Sequence, residues 1–208
     1  MNADDLIDKA THEIKALTGD ETKDKYFERV NEFPDAATAK RNFPDAVKRL
    51  LNVNKWTEES GIKSAFQLHD KHGNKSDALQ PEEGDYINIL LPGLPMANWV
   101  QVKEVRFGKD FAEFTVQPCP DPKGDPDKTA HFFDKNSKSI FRVEVVENKI
   151  RACEIGIDEK INNQDEAGLR AIPNTIIAEA GWNGMQQIQW QSLADFWAGL
   201  KDADNIEE

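Results

Sequence analysis

A chain of 208 residues can bury a core of its own, as one large domain or two small ones. Hydrophobic residues make up 38% and charged residues 31%, and the net charge is −12 at neutral pH. A surface this acidic repels phosphate backbones and anionic headgroups, which argues against nucleic acid and against a membrane as partners.

Eleven Phe and five Trp supply the apolar area that the polar composition lacks, so the chain is expected to fold. No stretch has the length and purity of a transmembrane helix. The acidic start, Met1 to Asp5, lacks the apolar run of a secretory signal. The two cysteines, Cys119 and Cys153, cannot make a disulfide framework, and a reducing cytoplasm suits both.

The N-terminal region, 1–55, reads as helical. Leu6, Ile7, Ala10, Ile14 and Leu17 fall at helical spacing, with Gly19 just past the end. Asp20 can cap a second helix through Tyr26, Phe27 and Val30, stopping before Pro34. A third segment starts near Asp35. Pro44, which has no amide to give to a helix interior, should divide it before Ala46, Val47, Leu50 and Leu51 continue the apolar stripe.

The middle region, 56–160, reads as antiparallel strands set out by turn signals. Phe66–His69 comes first, then the turn cluster Asp70 to Asn74, then Tyr86–Leu91, which Pro92 and Pro95 end. Asn98–Arg106 and Phe111–Gln117 form a hairpin through Phe107 to Asp110. A long loop from Pro118 to Lys128 holds four prolines and three aspartates and returns as Thr129 to Phe133. Ser139–Glu147 and Lys149–Ile157 form the last hairpin at Asn148, with Phe141, Val143 and Val145 on one face and Arg142 and Glu144 on the other. Cys153 alternates with Ile155 and Ile157 and reads as a core thiol.

The C-terminal region, 161–208, reads as helical again. Ile172 to Ala180 makes one short helix, Gly181 and Gly184 interrupt, and Met185 to Leu200 makes another. Trp190, Leu193, Trp197 and Leu200 share one stripe of that helix, widened by Phe196, which calls for a surface to pack on. The sheet or the N-terminal helices of the same chain are the first choice, and a groove on another molecule the second. The end from Asp202 should fray.

The runs Phe66-Gln67-Leu68, Gly84-Asp85-Tyr86-Ile87 and Leu91-Pro92-Gly93 resemble a family of uncharacterised bacterial proteins of Bacteroidetes type. Trp99 to Val102, Phe114 to Pro118, His131 to Phe133 and Gln189 to Leu193 continue the likeness, which spans roughly Trp56 to Leu200. The Leu-Pro-Gly stretch lacks the second proline and glycine-rich insertion of some members. The family has no assigned activity, so the resemblance implies no catalytic residues. It does imply that the strands and the C-terminal helix form one unit.

Several side chains invite a chemical reading. His131 lies near Asp121, Asp125, Asp127 and Asp134 in sequence and could act as a general base. A ring that hydrogen-bonds loop backbone is the plainer reading. Cys119 with His131 would need a helix start or a base to make a thiolate, and Cys119 stands between two prolines on a loop. His69 and His72 have metal-ligand spacing but straddle a strand end and a turn. The Asp121 to Asp127 run fails the calcium-loop pattern, with Pro126 at the sixth position and Phe132 at the twelfth. No P-loop, dinucleotide fingerprint or nucleophile elbow is present. No cofactor and no metal is implied.

The expected fold is α+β: N-terminal helices, a central antiparallel barrel-like sheet, and C-terminal helices packed on it, with a flat open sheet as the alternative. Two functions are carried forward. The first is a non-catalytic cytoplasmic protein-interaction or assembly module using Trp99, Trp182, Trp190 and Trp197. The second is a small-molecule-binding or hydrolytic pocket in the barrel mouth. Its polar groups would be His131, Tyr86 and Arg142, and its walls Phe114, Phe133 and Phe141.

Overall fold

The computed structural model describes residues 23–59, 61, 63–92, 96–131, 133–159 and 182–201. Seven strands form one sheet: β1 (Lys23–Glu32), β2 (Ala65–His69), β3 (Tyr86–Leu90), β4 (Ala97–Phe107), β5 (Phe111–Pro118), β6 (Lys138–Val146) and β7 (Lys149–Glu159). Their order is β1-β7-β6-β5-β4-β3-β2, and every neighbouring pair is antiparallel. Among the described residues three α-helices accompany them: α1 (Ala36–Leu51), the single turn α2 (Trp56–Glu59) and α3 (Trp182–Ala198). The architecture is α+β.

The sheet is open, which corrects the barrel. Its edges, β1 and β2, do not pair with each other. The outer edge of β2 is already taken by its own neighbourhood. Leu68 N donates to Asn54 Oδ1 and Phe66 N to Thr57 Oγ1, both at 2.9 Å, and Leu68 O accepts from Ser76 N at 2.9 Å. With these backbone groups satisfied, nothing is left to draw β1 across to close the sheet.

The N-terminal reading is corrected twice. Tyr26, Phe27 and Val30 belong to a strand, not a second helix. β1 pairs with β7 from Lys23↔Glu159 to Glu32↔Lys149, and this long-range ladder overrides the local helical spacing. Residues 23–32 therefore belong to the sheet, and a boundary at 55/56 does not separate helices from strands. Pro44 does not divide α1 either. It stands on the exposed side of the helix, as does Lys40, whose carbonyl loses its partner, so water can replace the missing bond. Asp35 caps α1 by accepting from Thr38 N at 2.7 Å. The expected helices Leu6 to Leu17 and Ile172 to Ala180, and the end from Asp202, lie outside the described residues.

α3 is longer at its start than the glycines suggested, running through Gly184. It stops at Gly199, whose φ of +76° suits glycine. Gly199 N donates to Phe196 O at 3.0 Å and Leu200 N to Asp195 O at 2.8 Å, closing a Schellman motif.

The core lies between one face of the sheet and the helices. Cross-strand partners share a side, so Ile150, Ala152 and Glu154 of β7 stand with Val145, Val143 and Phe141 of β6, on the helix side. Trp56 of α2 is the hub. Its ring centroid lies 4.9 Å from Trp197, 5.1 Å from Phe141, 5.5 Å from Phe66 and 5.9 Å from Phe114. The outer face carries a ladder of charge instead. Arg151 pairs with Glu28 at 2.6 Å and Glu144 at 3.4 Å. Arg142 pairs with Glu144 at 2.7 Å and with Glu113, which also holds Arg106.

Candidate functional site

The sequence puts a carboxylate where the core should be apolar. Glu154 faces the helix side of β7, between Phe141 of β6 and Phe27 of β1, and is fully buried. Among the described residues no donor stands in full hydrogen-bonding geometry to either of its oxygens. Burial pushes its carboxyl well above the ordinary glutamate range, and the nearby charge of Glu159 adds to this. The Ser139 hydroxyl and the Lys25 ammonium offset part of the rise.

Glu159, at the end of β7, folds back over Gly156. A Cβ on Gly156 would come within 2.6 Å of Glu159 Oε1, so this close approach requires glycine. Gln186 of α3 donates to Glu159 Oε1 at 2.9 Å, Lys25 Nζ lies 3.2 Å from Oε2, and Lys25 also donates to Gln186 Oε1. Burial raises the Glu159 carboxyl, and Lys25 pulls it back. One turn along α3, buried Gln189 accepts from the buried Ser64 hydroxyl at 2.6 Å. Next to it, Trp190 Nε1 has no hydrogen-bond partner.

Of these groups Glu159, Gln186, Gln189 and Trp190, together with Lys138, line a cavity of about 30 Å³ between the sheet and α3. Its apolar lining includes Ile89, Leu91, Val100, Val116, Phe133, Phe141 and Trp190, and its polar lining includes His131, Ser137, Ser139, Glu159, Gln186 and Gln189. Space of this size holds about two waters, or a group of two to three heavy atoms.

Three of the six pocket residues expected from sequence meet here: His131, Phe133 and Phe141. Phe114 is in the aromatic core against Trp56. Arg142 and Tyr86 are on the outer face, which corrects their assignment. Arg142 pairs across with Glu113 and Cys153, and Tyr86 with Gln101 and His69, positions that alternate with the helix-side residues. His131 is buried, and its Nδ1 accepts from Phe133 N at 2.9 Å. That bond places the neutral ring's proton on Nε2 and ties the loop to itself.

The tryptophans proposed as an interaction surface are placed differently. Trp197 and Trp190 are buried under α3, because the apolar stripe packs on its own chain. Trp99 is buried on the outer face, 4.8 Å from the His69 ring and beneath the loop whose Ala130 O accepts from Trp99 N. The Trp182 side chain lies outside the described residues.

Nucleophile and metal readings find little support. Burial pushes the Cys119 thiol up to about 12, away from thiolate. Asp70 accepts from His72 N and Asn74 N, so the His69 to Asn74 run is a hydrogen-bonded turn. Among the described residues no group of three or more His, Cys, Asp or Glu is placed to hold a metal ion. No described helix is long and apolar enough to cross a membrane.

Sequence reasoning missed Glu154, Glu159, Lys25, Gln186 and Gln189. The available signal was Glu154 itself, a charge amid Ala152, Cys153 and Ile155, and it reads naturally as the solvent side of β7.

No protein-family model matches the chain, and no curated protein matches it. Similar solved structures include a hypothetical protein from Helicobacter pylori, 12% identical, with 89% of this chain and 92% of that one covered and a TM-score of 0.49. A protein from Staphylococcus epidermidis is 12% identical over 93% of this chain and 100% of that one, with a TM-score of 0.42. A truncated norcoclaurine synthase from Thalictrum flavum is 10% identical over 88% and 97%, with a TM-score of 0.34. At these identities none of the three carries an inference about activity or ligand.

Proposed function

We propose that this chain binds a small molecule between the helix side of its sheet and α3, with the polar end of the ligand at Glu159, Gln186 and Gln189. One observation carries this reading: an apolar-walled cavity whose lining includes the buried polar side chains Glu159, Gln186 and Gln189, one of them a carboxylate. Ligand sites are built this way, with apolar walls for affinity and a few placed polar groups for orientation. Binding without chemistry is preferred, because His131 Nδ1 is occupied by Phe133 N and the Cys119 thiol is held protonated. The cavity ranks ahead of a protein-interaction module because Trp99, Trp190 and Trp197 are buried within the chain. A cytoplasmic location suits two buried free thiols. Kinship with the uncharacterised Bacteroidetes-type family belongs to the same proposal and rests on the motif residues of β2 to β5 and α3.

The test is a ligand-observed NMR screen of fragments of two to three heavy atoms against wild type and Val116→Leu. Val116 is buried in the cavity wall, and the larger side chain fills the space. Fragments should bind wild type and be lost from the filled variant. A screen in which nothing binds, or in which the folded variant binds equally well, removes the proposal.

A further inference from the structure

We infer that the cavity takes an uncharged molecule whose polar atom accepts hydrogen bonds and donates none, the chemistry of a carbonyl or nitrile group carried on one or two carbons. The inference rests on the pocket reading and names its ligand class.

The first argument is hydrogen bonding. The acceptors of the buried lining already hold donors. Gln189 Oε1 accepts from the Ser64 hydroxyl, and His131 Nδ1 accepts from Phe133 N. Glu159 Oε1 accepts from Gln186, while Lys25 Nζ lies 3.2 Å from Glu159 Oε2 and also donates to Gln186 Oε1. The donors are not all spent. Trp190 is more than nine-tenths buried, and its Nε1 has no partner. Gln189 is 1% exposed, and its Nε2 donates to no described residue. The Ser64 bond fixes which end of that amide is the acceptor, so what Gln189 still has to offer is N–H. Both residues line the cavity, side by side in the sequence of α3. Buried donors are rarely left unpaired, so this lining calls for an acceptor. A carbonyl oxygen has two lone pairs and no proton of its own.

The second argument is charge. Glu159 is the carboxylate in the lining, and Lys25 already balances it. Glu154 is not in the lining, and burial keeps it the neutral acid. Lys138 is in the lining but is exposed. It pairs across with Ile157, one position out of step with inward Ser139, so its ammonium stays in water. No unbalanced charge is left inside to receive an ion. A cation or an anion would give up its hydration there for nothing.

The third argument is the wall and the room. Ile89, Val100, Val116 and Phe141 present hydrocarbon, which suits an apolar tail. The space admits two to three heavy atoms, so the acceptor group leaves room for one or two carbons.

The experiment is a set of ligand-observed NMR titrations of the full chain. The four probes have three heavy atoms each: acetonitrile, ethanol, ethylammonium chloride and sodium formate, at matched ionic strength. Wild type is compared with Gln189→Met, which keeps the length of the side chain and removes its N–H, and with Val116→Leu, which fills the space. Acetonitrile should bind wild type at least about fivefold more tightly than ethanol, whose hydroxyl proton finds the acceptors taken. The two ions should bind more weakly still. Gln189→Met should bring acetonitrile down toward ethanol, and Val116→Leu should lose both. Ethanol binding as tightly as acetonitrile in wild type would overturn the inference while leaving the pocket standing, and needs no variant. Either ion binding as tightly as acetonitrile would do the same, and so would an unchanged preference in Gln189→Met. If none of the four probes binds, pocket and inference fall together.

Discussion

Truncating Trp197 tests whether the C-terminal helix is an internal strut. Its side chain is fully buried, with its ring 4.9 Å from Trp56 and 5.8 Å from Phe141, so it joins α3, α2 and β6. Replacing a buried Trp by Ala costs about 3–5 kcal/mol through lost transfer energy and an unfilled cavity. One feature lowers that figure. Trp197 Nε1 has no hydrogen-bond partner, and an unsatisfied buried donor carries its own penalty of about 1–3 kcal/mol, which vanishes with the ring. Trp197→Ala should therefore lose about 3 kcal/mol, or about 6–12 °C in melting temperature for a chain of this size. Trp197→Phe keeps an aromatic face and drops the orphan donor, so it should lose about 1.5 kcal/mol or less. Urea unfolding followed by circular dichroism, at two protein concentrations, measures both. A Trp197→Ala loss below about 1 kcal/mol with an unchanged m-value would refute the intramolecular packing, and a midpoint that moves with concentration would place the stripe between molecules.

Four further outcomes follow from the same contacts. The fold favours neutral Glu154, so wild type should be most stable below the unfolded carboxyl value and lose stability as pH rises through the raised folded value. The loss should be at most about 1.4 kcal/mol per pH unit for this group; Glu154→Gln should flatten it, and parallel urea-stability curves would deny it. Gln189→Ala leaves the buried Ser64 hydroxyl without this acceptor and should cost about 1–3 kcal/mol by the same assay, whereas a change within experimental error would mean that water replaces the amide. Arg142→Ala removes partners from both Glu113 and Glu144 and a cation resting 4.4 Å from the Phe111 ring, so it should cost about 2–4 kcal/mol, while Lys48→Ala, from an exposed pair with Asp45, should stay within about 0.5 kcal/mol; equal effects would contradict the burial argument. Both thiols are buried, with burial raising each to about 12, so a thiol reagent at mildly alkaline pH should label neither in the native protein and both after denaturation.

The sheet was readable where local signals suffice. Each strand from β2 to β7 begins and ends within two residues of its turn signals, because glycine, proline and aspartate punctuate the chain there. What failed was decided at long range. β1 carries aromatic residues at spacing that suits a helix as well as a strand, and its state is settled by β7, more than a hundred positions later. Closure of the sheet depended on whether the β2 edge was free, and that turned on Asn54, Thr57 and Ser76, which no strand pattern marks.

The site was hidden for a sharper reason. In β7 the apolar alternation of Cys153, Ile155 and Ile157 points to one face as the core, and that choice sends Ala152, Glu154 and Gly156 to water. The register with β6 does the reverse, because Ala152 pairs with Val143 and Glu154 with Phe141. A shift of one residue exchanges the two faces of a strand, so this half of β7 has its apolar residues on the outer side and its charge on the inner one. The first half of the strand, with Ile150 and Ala152 inward, obeys the ordinary pattern. The same strand therefore follows the packing rule at one end and breaks it at the other. The broken end is where Lys25, Glu159 and Gln186 assemble and where the cavity opens. A carboxylate kept inside at the cost of its hydration is the kind of local violation that function maintains and stability alone would remove. Replacing Glu154 by a residue that cannot ionise should thus stabilise the protein at neutral pH. Set beside the fragment screen, that variant separates a site from a defect: a packing fault would gain stability and keep fragment binding, whereas a site would lose binding as it gained stability.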